Sequence, residues 1–125
     1  VKATPELVRL LQALGDPTRL RLLNLLRSGE ICVCYFVEIL GEPQPKVSRH
    51  LAYLRRAGIV DVRREGKWMH YKLAATGQAA VLDAILDSIA GDRQMQRDRL
   101  ALERACCAVK LTGTLQNAPR PHIEP

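Results

Sequence analysis

The sequence predicts a mainly α-helical fold carrying one β-hairpin, and three observations support that. Apolar residues recur at i, i+3, i+4 and i+7 in successive stretches, the spacing of helices that bury one face. One pair of runs, Ile59-Val60-Asp61-Val62-Arg63-Arg64 and Trp68-Met69-His70-Tyr71-Lys72-Leu73, flanks Glu65-Gly66-Lys67 and reads as two strands around a turn. At 125 residues the chain fits one domain with a modest core, which disfavours a large enclosed active site.

Thr4-Pro5-Glu6 opens the first helix, and Leu7, Leu10, Leu11 and Leu14 follow on one face. Gly15 ends it. Asp16 can cap a second helix with Pro17 at its first position, and Leu20, Leu22, Leu23, Leu25 and Leu26 make that helix apolar nearly all round, hence central. After Ser28-Gly29, the spacing of Val33, Phe36, Val37 and Leu40 predicts a short third helix from Val33 to Leu40, ended by Gly41. A fourth, Gln44 to Arg56, places Val47, Leu51 and Leu54 inward and Arg49, Ala52 and Arg56 outward. From Gly77 a fifth helix carries Val81, Leu82, Ile85, Leu86 and Ile89. Gly91-Asp92 starts a charged sixth, on which Met95, Leu102, Cys106 and Val109 share a face. Residues 1–110 form the predicted domain; 111–125, with three of the seven prolines from Gly113 on, read as a flexible tail.

Lys plus Arg is 19 against 13 acidic residues, a formal charge of +6 that favours a polyanionic partner. Placement sharpens this. The third and fourth helices form a helix-turn-helix whose second member is cationic outside, and the hairpin that follows brings Arg63, Arg64 and Lys67 within reach of phosphates. Aromatics are few, which favours double-stranded DNA over single strands. The expected architecture is a winged helix-turn-helix. No apolar run is long enough for a membrane span, no secretory leader is evident, and four cysteines then point to a reducing cytoplasm in which thiols bind metals.

The runs Leu14-Gly15-Asp16-Pro17-Thr18-Arg19-Leu20, Ile31-Cys32-Val33-Cys34, Gln44-Pro45-Lys46-Val47-Ser48-Arg49-His50-Leu51 and Gly66-Lys67-Trp68-Met69-His70-Tyr71-Lys72-Leu73 resemble the ArsR/SmtB family of metal-responsive repressors, in its arsenic-sensing branch. The resemblance covers roughly residues 5–90. It implies a homodimer held by the first and fifth helices, in agreement with apolar stripes larger than a small monomer readily covers. It also implies that Gln44, Lys46, Ser48, Arg49 and His50 occupy recognition-helix positions on an operator. It implies no enzyme and no organic cofactor.

By the same resemblance, Cys32 and Cys34 match the family's Cys-Val-Cys ligands for As(III) or Sb(III), soft ions that favour three thiolates. The third cysteine of the best-known pattern falls at Val37, which belongs to the apolar stripe. Cys106 or Cys107, from the same subunit or its partner, is the candidate third ligand; the competing readings are a buried apolar Cys106 and a solvent-facing Cys107. Residues i and i+2 on a regular helix point about 200° apart at roughly 100° per residue, so binding both sulfurs is expected to distort the start of the third helix, misplace Arg49 and lower operator affinity.

Cadmium or lead sensing by a Cys-x-Cys site would add N-terminal cysteines, and residues 1–31 contain none. A zinc site on the fifth helix lacks His, since His50, His70 and His122 lie elsewhere. A thiol-redox repressor remains an alternative. From a different class, a thiol metal carrier would use the same cysteines without DNA, and the helix-turn-helix argues against it.

Overall fold

The helix that is apolar nearly all round, α2 (Pro17–Leu26), is the one against which most others pack. The Asp16 carboxylate accepts from the Arg19 N–H at 3.0 Å, and Pro17 sits in the first turn, where no helical donor is lost. Leu22, Leu23 and Leu25 are fully buried, each contributing about 2 kcal/mol by loss of apolar surface to water. The computed structural model describes residues 3–108 and 110–121. Among them the order is α1 (Ala3–Leu14), α2, β1 (Ile31–Cys32), α3 (Val33–Leu40), α4 (Gln44–Arg56), β2 (Val60–Glu65), β3 (Trp68–Leu73), α5 (Ala79–Ile89) and α6 (Arg93–Cys107), then a 3-10 turn at Gly113–Leu115.

The helix-turn-helix and the wing take the positions their patterns predict. Gly41 closes α3 at φ 66°, a left-handed cap that a side chain would strain, and Pro43 starts α4. Val47, Leu51 and Leu54 are buried beneath α4. Strands β2 and β3 pair antiparallel from Val60↔Leu73 to Glu65↔Trp68. The strand β1 has no counterpart in the sequence reading. It joins the far edge of β3 through Ile31↔Tyr71 and Cys32↔His70, giving the order β1-β3-β2. Two residues are too few for an alternating pattern to show.

On α1, Leu10 and Leu14 are buried while Val8 and Leu11 are 45% and 49% exposed, so the helix has a second apolar edge that this chain alone leaves in water. On α5, Leu82 and Leu86 face inward. Helix α6 is locked to α2 by polar groups. Asp98, 2% exposed, accepts from Arg21 Nε at 2.8 Å, Arg21 Nη2 at 3.0 Å and Gln94 Nε2 at 2.9 Å. Asn24 Nδ2 donates to Met95 O at 3.1 Å, and Arg99 spans Asn24 Oδ1 and the Ala90 carbonyl. A bidentate guanidinium satisfies a buried carboxylate with little freedom left to either partner.

The segment expected to be a flexible tail from residue 111 is packed over 110–121. Leu115 and Ala118 enter the core against α3, the Thr114 hydroxyl donates to Glu38 at 2.7 Å, and Arg120 Nη1 donates to the Ala105 and Cys106 carbonyls at the end of α6. A low apolar content hid two small anchors, and the orphan carbonyls of a helix end supplied the rest. Val109 and His122 lie outside the described residues. No helix among the described residues is long and apolar enough to cross a membrane.

Replacing Asp98 by Ala leaves Arg21 facing α6 without its acceptor and is expected to destabilise the fold by about 3 kcal/mol, read as a lowered urea midpoint. An unchanged midpoint would contradict the clamp.

Candidate nucleic-acid interface and thiol site

Helix α4 is amphipathic by sequence, so burying Val47, Leu51 and Leu54 forces Gln44 and Arg49 outward, both exposed, with Lys46, Ser48 and His50 half-buried at the edges. A basic cleft of ≈ 420 Å³ runs along this face between Lys46, Arg49 and Arg56 on α4 and Arg19 on α2. Lys46 pairs with Glu42 at 3.1 Å, and His50 Nδ1 lies 3.4 Å from Arg19 Nη1. Arg19 is a residue that sequence reasoning quoted without giving it a role. Its place directly after the Asp16-Pro17-Thr18 helix start was the available signal.

On the wing, the three cations differ. Arg63 bonds Glu30 at 2.5 Å and Glu65 at 2.9 Å, and these carboxylates raise its already high pKa. Arg64 donates to the Gly66 carbonyl at 2.9 Å, and Lys67 Nζ sits 4.9 Å from the centre of the Trp68 ring. Among the described residues neither has a carboxylate partner, so Arg64 and Lys67 carry the uncompensated charge of the hairpin tip.

The cysteine pair departs from the expected geometry in one decisive respect. Helix α3 begins at Val33, so Cys32 is not helical: it is the cap residue, extended at φ −70°, ψ 142°, and belongs to β1. The separation of about 200° that a regular helix imposes at i and i+2 therefore does not hold for this pair. Cys34 turns back within the first helical turn, and the two sulfurs lie 3.0 Å apart with no turn opened. All four thiols are free.

This placement tunes the pair. The two sulfurs share a hydrogen bond, and that bond, with the backbone N–H groups of Cys34, Met69 and Val33 and against the cost of burial, lowers the Cys32 thiol to about 7. Sulfur at a helix N-terminus gains from the dipole as well. Cys34 is pushed the other way, well above the ordinary thiol range, by that same hydrogen bond, by burial and by the negative charge beside it. The pair titrates as a unit that retains one proton.

Beside Cys34 opens a cleft of ≈ 300 Å³ lined by Val33, Val37, Gln44, Lys67, Trp68 and Thr114. Val37 thus packs as an apolar wall, and the cleft touches both α4 and the wing tip. Cys106 lies at the end of α6, its S–H donating to the Pro121 carbonyl at 3.4 Å, and Cys107 is exposed. The buried Tyr35 hydroxyl has no hydrogen-bond partner among the described residues, and burial first, then the neighbouring Cys34, raises its pKa. Among the described residues no three His, Cys, Asp or Glu side chains stand together as a metal site.

In a pH titration of thiolate ultraviolet absorbance, one thiolate of the pair is expected to form near pH 7. Replacing Cys34 by Ala removes the donor and is expected to move that step toward the usual thiol value of about 8.5. A step that stays put would refute the sulfur–sulfur hydrogen bond.

Residues 16–62, from the α2 cap into the wing, match the model of "Bacterial regulatory protein, arsR family". The chain is 47% identical over 68 residues to the arsenical resistance operon repressor of Escherichia coli K12, covering 54% of this chain and 58% of that protein. It is 40% identical over 84 residues to the biofilm growth-associated repressor of Agrobacterium fabrum, covering 67% and 72%. The chain thus spans a little over half to nearly three quarters of these relatives. Its fold is similar to the homodimeric winged helix-turn-helix DNA-binding domain Mb0332 of Mycobacterium bovis, with TM-score 0.60, 29% identity and coverage of 74% and 84%. With this match over the helix-turn-helix, and with relatives that are transcriptional regulators and not enzymes, the chain belongs to the arsR family of bacterial regulatory proteins.

Proposed function

We propose that this chain is a transcriptional repressor that binds operator DNA as a homodimer and releases it when arsenite, or its antimony analogue, is captured by Cys32 and Cys34. The observation that carries the reading is the sulfur pair 3.0 Å apart at the junction of β1 and α3. Two sulfurs already this close can turn toward one thiol-seeking ion with little rearrangement of the chain.

The chemistry follows from the proton arrangement. The Cys32 thiolate attacks arsenic and a hydroxide departs; the proton held by Cys34 converts that hydroxide to water, leaving the second sulfur free to form its own bond as another hydroxide leaves. A third sulfur from Cys106 or Cys107, of the same subunit or the partner, completes the pyramid at the cost of one more water. Because Cys106 is held to the Pro121 carbonyl, its capture would break that contact and draw the end of α6 toward the start of α3.

DNA release then needs no helix opening. Cys32 pairs with His70 on β3, and the Cys34 cleft is walled by Gln44 and Lys67, so a ligand there acts on the wing and on the first residue of α4 together. Release requires only that the loaded shape and the DNA-bound shape differ in free energy. Gln44, Lys46, Ser48, Arg49 and His50 supply the groove-facing set, Arg64 and Lys67 the phosphate contacts, and Arg63 chiefly shapes the wing through Glu30 and Glu65. The exposed Val8 and Leu11 edge of α1 and the partly buried Val81 and Ile85 of α5 support dimerisation through those helices.

In electrophoretic mobility assays, arsenite is expected to weaken operator binding at least about tenfold, while Cys32→Ser and Cys34→Ser proteins bind DNA normally and ignore arsenite. Either variant releasing DNA at wild-type arsenite levels would reject the site. Arsenic-edge absorption on the four single Cys→Ser proteins identifies the third ligand by a drop from three sulfur neighbours to two.

Replacing Leu11 by Glu is expected to yield monomers in sedimentation and to weaken operator binding at least about tenfold, since a monomer holds one half-site. A stable dimer carrying that charge would move the interface elsewhere.

A further inference from the structure

Arg19 is rooted on α2 and touches two other helices. Its Nε donates to the Ala13 carbonyl at 2.6 Å and its Nη2 to the Gln12 carbonyl at 3.2 Å, oxygens in the last turn of α1, the second of which also accepts from the Gly15 N–H at 3.3 Å. The same guanidinium lies 4.1 Å from the centre of the Tyr53 ring, and its Nη1 is 3.4 Å from His50 Nδ1; both partners are on α4. Apart from this contact, α1 and α4 face each other across a cleft of ≈ 190 Å³ lined by Arg9, Gln12, Tyr53 and Arg56. Among the described residues no carboxylate forms an ion pair with Arg19.

We infer that Arg19 is a positioning residue for DNA reading: a planar strut that fixes the angle of α4 to α1. This rests on the proposal that α4 enters DNA and α1 carries the dimer contact. A dimeric reader must hold its two recognition helices one helical turn of DNA apart, and that spacing is set by how rigidly each α4 is tied to the dimer helices. Arg19 ties them across a gap that packing leaves open. The chemistry demands arginine. A flat fork can donate to two carbonyls in its plane while its face stacks on a ring, whereas a lysine ammonium is a point charge that cannot do both. Asp16, whose carboxylate caps α2 through the Arg19 N–H and lies 3.8 Å from His50 Nδ1, steadies the base of the strut.

The test compares Arg19→Lys, Arg19→Gln, Tyr53→Leu and Tyr53→Phe proteins with the wild type. Each is titrated against a duplex selected by the wild type from a random-sequence pool and against a scrambled duplex of equal length, over a range of salt. Arg19→Lys keeps the charge and loses the fork. It is expected to weaken the selected duplex at least about tenfold while scrambled binding stays within about twofold and its salt slope is unchanged. Tyr53→Leu is expected to reproduce that loss of discrimination, and Tyr53→Phe, which keeps the ring, to restore it.

Arg19→Lys discriminating as well as the wild type would overturn the inference. So would Arg19→Gln losing both duplexes alike with a salt slope lower by about one, the mark of a direct phosphate contact. A loss on both duplexes that vanishes on cooling and tracks a lowered unfolding midpoint would also overturn it, as simple destabilisation. A wild type that selects no duplex would defeat the DNA-reading proposal together with the strut; equal discrimination by the wild type and Arg19→Lys defeats the strut alone.

Discussion

The placement of the site follows from a change of backbone between two adjacent residues. Cys32 is extended and Val33 is helical, so the chain leaves a sheet and enters a helix between the two sulfurs' anchors. That single bend brings the thiols together, points backbone N–H groups at the Cys32 sulfur, and ties one thiol to the wing through His70 and the other to the helix-turn-helix. A helix starting one residue earlier would separate the sulfurs; a strand running one residue further would remove the N-terminal dipole. The core holds the bend in place, with Ile31, Tyr35 and Phe36 fully buried on either side of it.

Around that junction the fold divides the work between apolar and polar forces. The leucines of α2 supply the non-directional stabilisation, which fixes neighbouring helices nearby but not at one angle. Angles come from charged hydrogen bonds that cross between helices. Arg21 with Asp98 and Asn24 with Arg99 set α6, Arg19 meets both α1 and α4, and Arg63 with Glu30 ties the wing to the segment just before β1. Several arginines thus act inside the protein as links between elements, while Arg49 on α4 and Arg64 and Lys67 at the hairpin tip have no carboxylate partner among the described residues.

The helices were legible because their apolar stripes are long and their caps conspicuous: Asp16-Pro17, Gly41 and Asp92 mark boundaries by chemistry that local sequence dictates. The wing was legible from its turn. What was not legible depended on pairing between distant residues. The strand β1 exists only because β3 offers an edge to Ile31 and Cys32, and without it helical spacing extends to the Cys32-Cys34 pair, which makes the two sulfurs look divergent. The 110–121 segment has tail-like composition, yet Leu115 and Ala118 find a groove on α3 that no local pattern announces. The pairing of Arg63 with Glu30 was not legible, because the two lie far apart in sequence. Val37 was read correctly as an apolar wall, since its stripe was local.

Incompatibility between the ligand-loaded and DNA-bound shapes is the claim on which the functional account stands, and thermodynamic reciprocity gives it a direct test. Arsenite affinity should be measured by calorimetry on the full chain, once free and once saturated with its selected operator duplex. The account predicts that the operator weakens arsenite binding by the same factor by which arsenite weakens operator binding, about tenfold or more. Equal arsenite affinity with and without bound DNA would contradict it.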